Sequence, residues 1–405
     1  MLCRRVLRRS QAFGRIAGLS QASLQQPQIS ASQSPPSEQR RTATTTASTT
    51  SNGAANPKVV FSGIQPTGIP HLGNYLGALT QWVRLQNEAA PDTKLLYSVV
   101  DLHAITVPQK AAELRRWKRE MLAALLAVGL DPKRSIISYQ SSCPAHSELM
   151  WILSCTASMG YLNRMTQWKS KLSLSSDASA LDDKAKSALK LGLFSYPVLQ
   201  AADILVHRAT HVPVGEDQRQ HLEFARECAA VFNHTYGGGE TVLVPPETML
   251  SPARRVMSLT EPTKKMSKSD ANPASRILIT DEPASMRKKV MRSLTDLQSD
   301  RVTYEPDTRP GVSNLLEILS ILSGEGTTPE EAAEGFAGVQ HPLKALKEKT
   351  AEAVVRSMGD IRERYLELLD RDGGRWLDDI EAQGAEKARA SAEVTMKRVR
   401  QAVGL

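Results

Sequence analysis

Two short groups of residues hold the polar chemistry of this chain. Pro70-His71-Leu72-Gly73-Asn74 follows a hydrophobic run, and Lys265-Met266-Ser267-Lys268-Ser269 sits in a polar stretch far downstream. Val59, Val60 and Phe61 read as a strand, a Gly/Pro-rich turn follows, and a helix is expected to open near Asn74. Backbone N–H groups at such a helix start face anionic oxygen, and Gly73 lets a nucleotide approach the backbone closely. The second group sets two ammonium groups, Lys265 and Lys268, beside two hydroxyls, Ser267 and Ser269, a combination suited to a loop that grips a triphosphate while its charge redistributes. Either group alone reads as an ordinary solvated turn. In this order they predict attack on the α-phosphate of ATP.

The elements that must position these residues follow from hydrophobic patterning. After the first turn, a helix is predicted from about Asn74 to Gln86, with Leu76, Leu79, Val83 and Leu85 facing inward. Leu95 to Val100 reads as a second strand, Ala111 to Val128 as a helix closed by Gly129, and Ile136, Ile137 and Tyr139 as a third strand. This βαβαβ order predicts an α/β fold with a Rossmann-like parallel sheet, its ligands lying beyond the carboxyl ends of the strands. His71, Asp101, His103 and Gln140 fall there. Residues 141–235 are expected to form a helical insertion that walls the site, with a polar, mobile loop over Ser170 to Lys190, and a further strand is expected near Val242 to Val244. No strand is expected from Met286 to Leu405. There Val354, Met358, Ile361, Tyr365 and Leu368 repeat at 4-3-4-3 spacing, an apolar seam on one helix of a C-terminal α-helical domain.

With 405 residues, of which 41% are hydrophobic and 23% charged, the chain can bury a large core and form two folded domains after a leader. No apolar run reaches the roughly 18 residues a membrane span needs. Cys3, Cys143, Cys155 and Cys228 form no C-x-x-C pair, which argues against a disulfide framework or zinc ribbon and for a reducing compartment. Residues 1–57 hold seven arginines, no lysine and one acidic residue, Glu38, amid many Ser, Thr, Gln and Ala. That is the composition of a mitochondrial transit peptide, which predicts a mitochondrial matrix protein; a basic tail that binds nucleic acid is the other reading. This leader carries +6 of the formal +8, leaving about +2 from Lys58 onward. RNA binding would therefore rest on local clusters such as Arg287, Lys288, Lys289 and Arg292, or Lys344, Lys347 and Lys349.

On the two polar groups the chain resembles the class I aminoacyl-tRNA synthetases, whose signatures stand here as His71-Leu72-Gly73-Asn74 and Lys265 to Ser269. Asn74 replaces the usual His, and its amide still donates a hydrogen bond. Phe61 to Gly68, Tyr196 to Asp203 and Val212 to Gln218 narrow the resemblance to tryptophanyl-tRNA synthetases of the bacterial and organellar kind, from about Lys58 to the C terminus and densest through Ile277. The resemblance implies ATP with Mg2+ as substrate, no structural metal, and two steps: adenylate formation, then transfer to tRNA(Trp). It implies that His71, Asn74, Lys265 and Lys268 serve catalysis. Gln65, Pro66, Thr67, Gly73, Asn74, Gly215, Glu216, Asp217, Val256 and Lys265, Met266, Ser267, Lys268 and Ser269 would bind ATP. Asp203, Phe61, Gly63, Val100, His103, Gln140, Tyr196, Val212 and Val214 would surround L-tryptophan. An indole N–H only donates, so its pocket wants a buried acceptor, which Asp203 on an Ala-Ala-Asp-Ile-Leu helix offers. Gln200 stands where many bacterial members have Met, and His71 where this branch often has Thr.

The resemblance also implies a catalytic domain over 58–285, an anticodon-binding helical region over 286–405, and a homodimer whose interface draws on apolar residues between Leu95 and Leu162. Two other readings share some of these features: a tyrosyl-tRNA synthetase, and a synthetase-derived RNA-binding or splicing protein. Retention of Lys265 to Ser269 argues against the latter.

Overall fold

The computed structural model describes residues 57–405 apart from 173, 176–177, 184–187, 216–217, 251–254, 269 and 325. The leader through residue 56, Glu216, Asp217, Ser269 and parts of the expected loop over 170–190 lie outside the described residues.

Among the described residues, five short parallel strands form the sheet. They are Val59–Ile64 (β1), Lys94–Val99 (β2), Ile136–Tyr139 (β3), His211–Val214 (β4) and Glu247–Leu250 (β5), in the order β3-β2-β1-β4-β5. Phe61 stands opposite Leu96 and Gly63 opposite Ser98. Side chains of β1 alternate between two cores: Val60 joins Leu95, Tyr97 and Val99 on one face, while Val59 and Phe61 join Leu96 and Val212 on the other. Both faces are buried, which is why these strands read as continuous apolar runs. The order reverses between β1 and β4, and the crevice beyond their carboxyl ends is the switch point where such sheets receive ligands.

Two strand expectations are corrected. β4 lies inside the segment expected to be a helical insertion; it is short and contains Pro213, which has no N–H for a ladder. β5 begins at Glu247, beyond Val242 to Val244. Val242 and Leu243 are held instead by the Asn233 side chain, whose Oδ1 accepts both N–H groups at 3.0 and 2.9 Å and whose Nδ2 donates to Leu243 C=O at 2.7 Å.

After β1 the chain makes a helical turn, Leu72–Asn74 (α1), a π-helical stretch over Tyr75–Leu79, and then Thr80–Glu88 (α2). Asp101–Ala104 (α3) and Ala111–Ala127 (α4) follow β2. Ala145–Ser154 (α5), Met159–Arg164 (α6), Gln167–Lys171 (α7) and Leu191–Val206 (α8) precede β4, and Arg219–Tyr236 (α9) follows it. The C-terminal part comprises Pro283–Met291 (α10), Pro310–Ser323 (α11), Pro329–Glu334 (α12), Pro342–Met358 (α13), Ile361–Asp370 (α14) and Arg375–Val403 (α15), with no strand among its described residues. The apolar seam from Val354 to Leu368 runs over two helices rather than one, broken at Gly359 and Asp360 between α13 and α14.

Position 285, the expected domain boundary, falls inside α10, whose Met286 and Val290 share a core with Val60 and Leu95. The last helix returns to the sheet. Gly384 of α15 lies so close to the Ile137 carbonyl that a Cβ would overlap it, and Ala388, Ala392, Met396 and Val399 pack in the same core as Phe61 and Tyr196. Among the described residues, no helix is long and apolar enough to cross a membrane.

Candidate active site

The turn after β1 bends at Gly68, where φ is +105°, and leads into His71 at the N-cap of α1. His71 and Asn74 form a reciprocal cap: Asn74 N–H donates to His71 Nδ1 at 3.3 Å, and His71 N–H donates to Asn74 Oδ1 at 3.2 Å. Leu72 N–H donates to Ile277 C=O at 2.7 Å, and Tyr75 N–H to His71 C=O at 3.0 Å. The N–H groups of Leu72, Asn74 and Tyr75 are thus taken within the protein, so fewer backbone donors than expected are open to an anion at this helix start. A Cβ at Gly73 would meet the His71 ring at 3.0 Å and Val256 at 3.5 Å, so the position is also tight within the protein.

The cap decides the state of His71. With Nδ1 accepting, the ring proton sits on Nε2, which is left as a donor. Burial, followed by the positive charges of Lys268, Lys265 and Arg276, lowers its pKa to about 4, so the ring is neutral at physiological pH. Lys268 Nζ donates to Gly68 C=O at 3.1 Å, and burial pushes its pKa down to about 8. Lys265 is exposed, and the buried Met266 side chain anchors the loop between the two lysines.

Beyond the carboxyl ends of β1 and β4 lies a cavity of about 330 Å³, within the size range of small-molecule sites. Phe61, Gly63, Val100, His103, Tyr196, Asp203, Val212 and Val214 all line it, together with Gln65 and Gly215 from the expected nucleotide set. Gln140 does not. It is fully buried behind Asp203, with Nε2 donating to both carboxylate oxygens at 2.7 and 2.9 Å and Oε1 accepting from Leu102 N–H at 3.0 Å. Asp101, also at a strand end, is structural: it accepts from Ser141 N–H at 2.9 Å and pairs with Lys118 at 2.5 Å.

Asp203 is 1% exposed and is the one carboxylate among the described residues that line the cavity. Besides Gln140, it is bonded to His103 Nε2 at 2.9 Å and His146 Nδ1 at 2.7 Å. Burial alone would raise its pKa, but hydrogen bonds from His103 and His146 outweigh it and hold the carboxyl well below the usual range. Burial would likewise lower His146; the bonds to Asp203 and Cys143 reverse this and raise it to about 9. His146 Nε2 then meets His207 Nε2 at 3.4 Å, and His207 Nδ1 meets Ser391 Oγ of α15 at 3.2 Å. Burial, then the neighbouring His146 cation, drives His207 well below the ordinary value. An ionised Asp203–His146 pair thus sits beneath the cavity. His146, His207 and Ser391 were missed in the sequence, where no local pattern brings them to Asp203.

A polar chain joins several of the lining residues. Tyr196 Oη lies 2.9 Å from Gln167 Oε1 and 3.2 Å from His221 Nε2; His221 Nδ1 reaches Gln218 Oε1 at 2.9 Å, which also accepts from Gln200 Nε2 at 3.3 Å. Gln200, the departure noted in the sequence, is therefore bonded within the wall. Gly77, Ala78, Gln81 and Trp82 close another side from the π-helical stretch and α2, a deviation from α-helix of the kind often found at functional sites.

A parallel sheet with its cavity at the switch point, beside a loop that carries two lysines, defines a class I synthetase site. The model of the family described as tRNA synthetases class I (W and Y) matches residues 54–358, and the chain belongs to that family. Within it, the chain is 47% identical over 352 residues to the mitochondrial tryptophan–tRNA ligase of Schizosaccharomyces pombe, covering 85% of this chain and 95% of that one. It is 43% identical to the mitochondrial tryptophan–tRNA ligase of Saccharomyces cerevisiae, covering 85% and 90%. Among solved structures, the tryptophanyl-tRNA synthetase of Campylobacter jejuni complexed with ADP and tryptophan superposes with a TM-score of 0.67 at 30% identity, covering 86% of this chain and 100% of that one.

Proposed function

We propose that this chain is a tryptophan–tRNA ligase: it activates L-tryptophan with ATP and transfers it to tRNA(Trp). One observation carries the reading of the site. A buried, ionised carboxylate, Asp203, floors a cavity that Gln65 links to the loop bearing His71. An indole presents one donor and an apolar body, and this floor supplies the acceptor. The acceptor positions of Asp203 are filled by Gln140, His146 and His103, so an indole N–H must displace a donor. His103, which lines the cavity, is the one that yields.

In the first step the tryptophan carboxylate attacks the α-phosphorus in line, the bond to the β-phosphate oxygen breaks, and pyrophosphate leaves. Lys265 and Lys268 stabilise the charge that gathers on pyrophosphate. Neutral His71 donates through Nε2–H, and Asn74, whose Oδ1 is spent on the cap, offers its NH2. Gln65, Pro66, Thr67, Gly73, Gly215, Glu216, Asp217 and Val256 complete the ATP contacts. Mg2+ enters with ATP, and the cations of Lys265, Lys268 and Arg276 around His71 suit a triphosphate. The terminal ribose hydroxyl of tRNA then attacks the acyl carbon and AMP departs, with no protein nucleophile.

The names of the two yeast relatives and the Arg-rich, acid-poor first 57 residues support a mitochondrial role, and we place the work in the matrix after removal of the leader. Trp151 and Met159, 72% and 66% exposed on α5 and α6, support a homodimer through this face. Residues 286–405 supply the anticodon contacts. The deciding experiment is amino-acid-dependent exchange of pyrophosphate into ATP: exchange with tryptophan and not tyrosine is expected, and the reverse would overturn the reading.

A further inference from the structure

The loop that begins at Lys265 hangs on a two-stranded ribbon. Met257 faces Lys265 in an antiparallel bridge, flanked by Ser258 N–H to Lys264 C=O at 2.8 Å and Met266 N–H to Val256 C=O at 3.1 Å. In such a non-hydrogen-bonded pair, the N–H and C=O of Met257 point away from the loop. One side chain takes both. Asn314 Oδ1 accepts from Met257 N–H at 2.9 Å, and Asn314 Nδ2 donates to Met257 C=O at 3.1 Å. A primary amide sets donor and acceptor side by side as a strand's backbone does, so Asn314 completes the ribbon in place of a third strand.

A second grip comes from the same turn of α11. Leu294 N–H donates to Leu259 C=O at 2.7 Å, and the Leu294 carbonyl lies against Gly311 so closely that a Cβ would overlap it. Gly311 and Asn314 are three residues apart on one helix face, and together they hold Val256 to Leu259 from the side opposite the loop. Asn314 is 3% exposed, so water cannot replace either bond.

We infer that Asn314 is a positioning residue for adenylate formation: through Met257 it sets where Lys265 and Lys268 stand relative to Gly68 and His71. This inference rests on reading Lys265 to Ser269 as the loop that grips pyrophosphate. Asn314 touches no substrate and does not line the tryptophan cavity. Its loss should therefore move turnover and leave the binding of tryptophan alone.

The test uses the full chain with Asn314→Ala, with the isosteric Asn314→Asp, and with each combined with Lys268→Ala. Asp keeps an acceptor for Met257 N–H and turns an oxygen toward Met257 C=O, so it breaks one bond without leaving a cavity. Both single variants are expected to lower kcat of tryptophan-dependent pyrophosphate exchange about 10- to 100-fold, with the tryptophan Kd within about twofold of the parent. In the Lys268→Ala background the same changes should cost clearly less than in the parent, because one of the two groups they position is gone. Equal losses in both backgrounds, a parallel rise in tryptophan Kd, or undiminished exchange by a folded Asn314→Asp chain would overturn the inference. Should Lys268→Ala alone leave exchange unchanged, the reading of the loop falls first and this role with it, a result distinct from failure at Asn314.

Discussion

Lys268 Nζ donates to the Gly68 carbonyl at 3.1 Å, tying the loop after β1 to the lysine loop across 200 residues of sequence. That bond stands where an anion is expected, and an arriving triphosphate can take the ammonium group from Gly68.

The first prediction follows from the burial of this lysine. Its pKa is lowered from 10.5 to about 8, so the cation needed to stabilise pyrophosphate is lost as pH rises through about 8. Because kcat/KM for ATP reports the free enzyme, that profile should fall above pH 8, by about tenfold per unit once well past it. Lys268→Arg stays charged throughout and should remove this limb while lowering the plateau. An unchanged limb in Lys268→Arg would assign it to another group.

The second prediction concerns stability. His146 is raised from 6.5 to about 9, so the folded chain holds this proton more tightly than the unfolded one. Its contribution is complete below pH 6.5 and is lost as pH rises through about 9, on the order of 3 kcal/mol in all. Asp203, depressed below 3.8, contributes above that pH and is lost only as pH falls through its still lower folded value. Denaturant unfolding between pH 6.5 and 9.5 should show the alkaline decline in the parent and a flatter curve in His146→Gln.

A third prediction separates recognition from support at Asp203. Asparagine removes the charge that His146 pairs with, which should destabilise the fold by about 3–5 kcal/mol, as breaking a buried pair does. It also weakens a charge-assisted bond to the indole, worth roughly 1.5–3 kcal/mol. Asp203→Asn should thus raise the tryptophan KM at temperatures where the chain is still folded, with the ATP KM little changed. A lower melting temperature with the tryptophan KM unmoved would make Asp203 a structural anchor only.

What was legible in the sequence divides along physical lines. β1 and β2 were legible from their apolar runs, and α4 from its Ala-, Leu-, Arg- and Lys-rich composition closed by Gly129. β4 was not, since four residues with a proline resemble a loop until β1 and β5 supply partners on both sides. The cavity lining was legible through resemblance at Tyr196 to Asp203 and Val212 to Gln218. The ion pair beneath it was not: His146 lies 57 residues from Asp203, and its charge depends on burial that no local pattern reveals. The same holds for Asn314, whose function comes from facing Met257.

The last prediction chooses between the two basic clusters as sites of RNA contact. Lys347 is no free cation: its ammonium donates to Ser293 C=O at 2.9 Å, joining α13 to the end of α10, and burial lowers its pKa. Lys344 stands 3.9 Å from Glu348, and Lys289 is held at 2.5 Å by Asp281. Reversing Lys347 should therefore lower the melting temperature and blur any effect on tRNA. Lys288 and Arg292, by contrast, are exposed and four residues apart on and just beyond α10. If this face meets tRNA, Lys288→Glu with Arg292→Glu should raise the tRNA KM while tryptophan-dependent pyrophosphate exchange and melting stay at parental values. The dependence of log K on log salt should then flatten by roughly 0.7–0.9 for each phosphate contact removed. An unchanged salt slope would leave this face to solvent and move the search to other cations of the C-terminal helices.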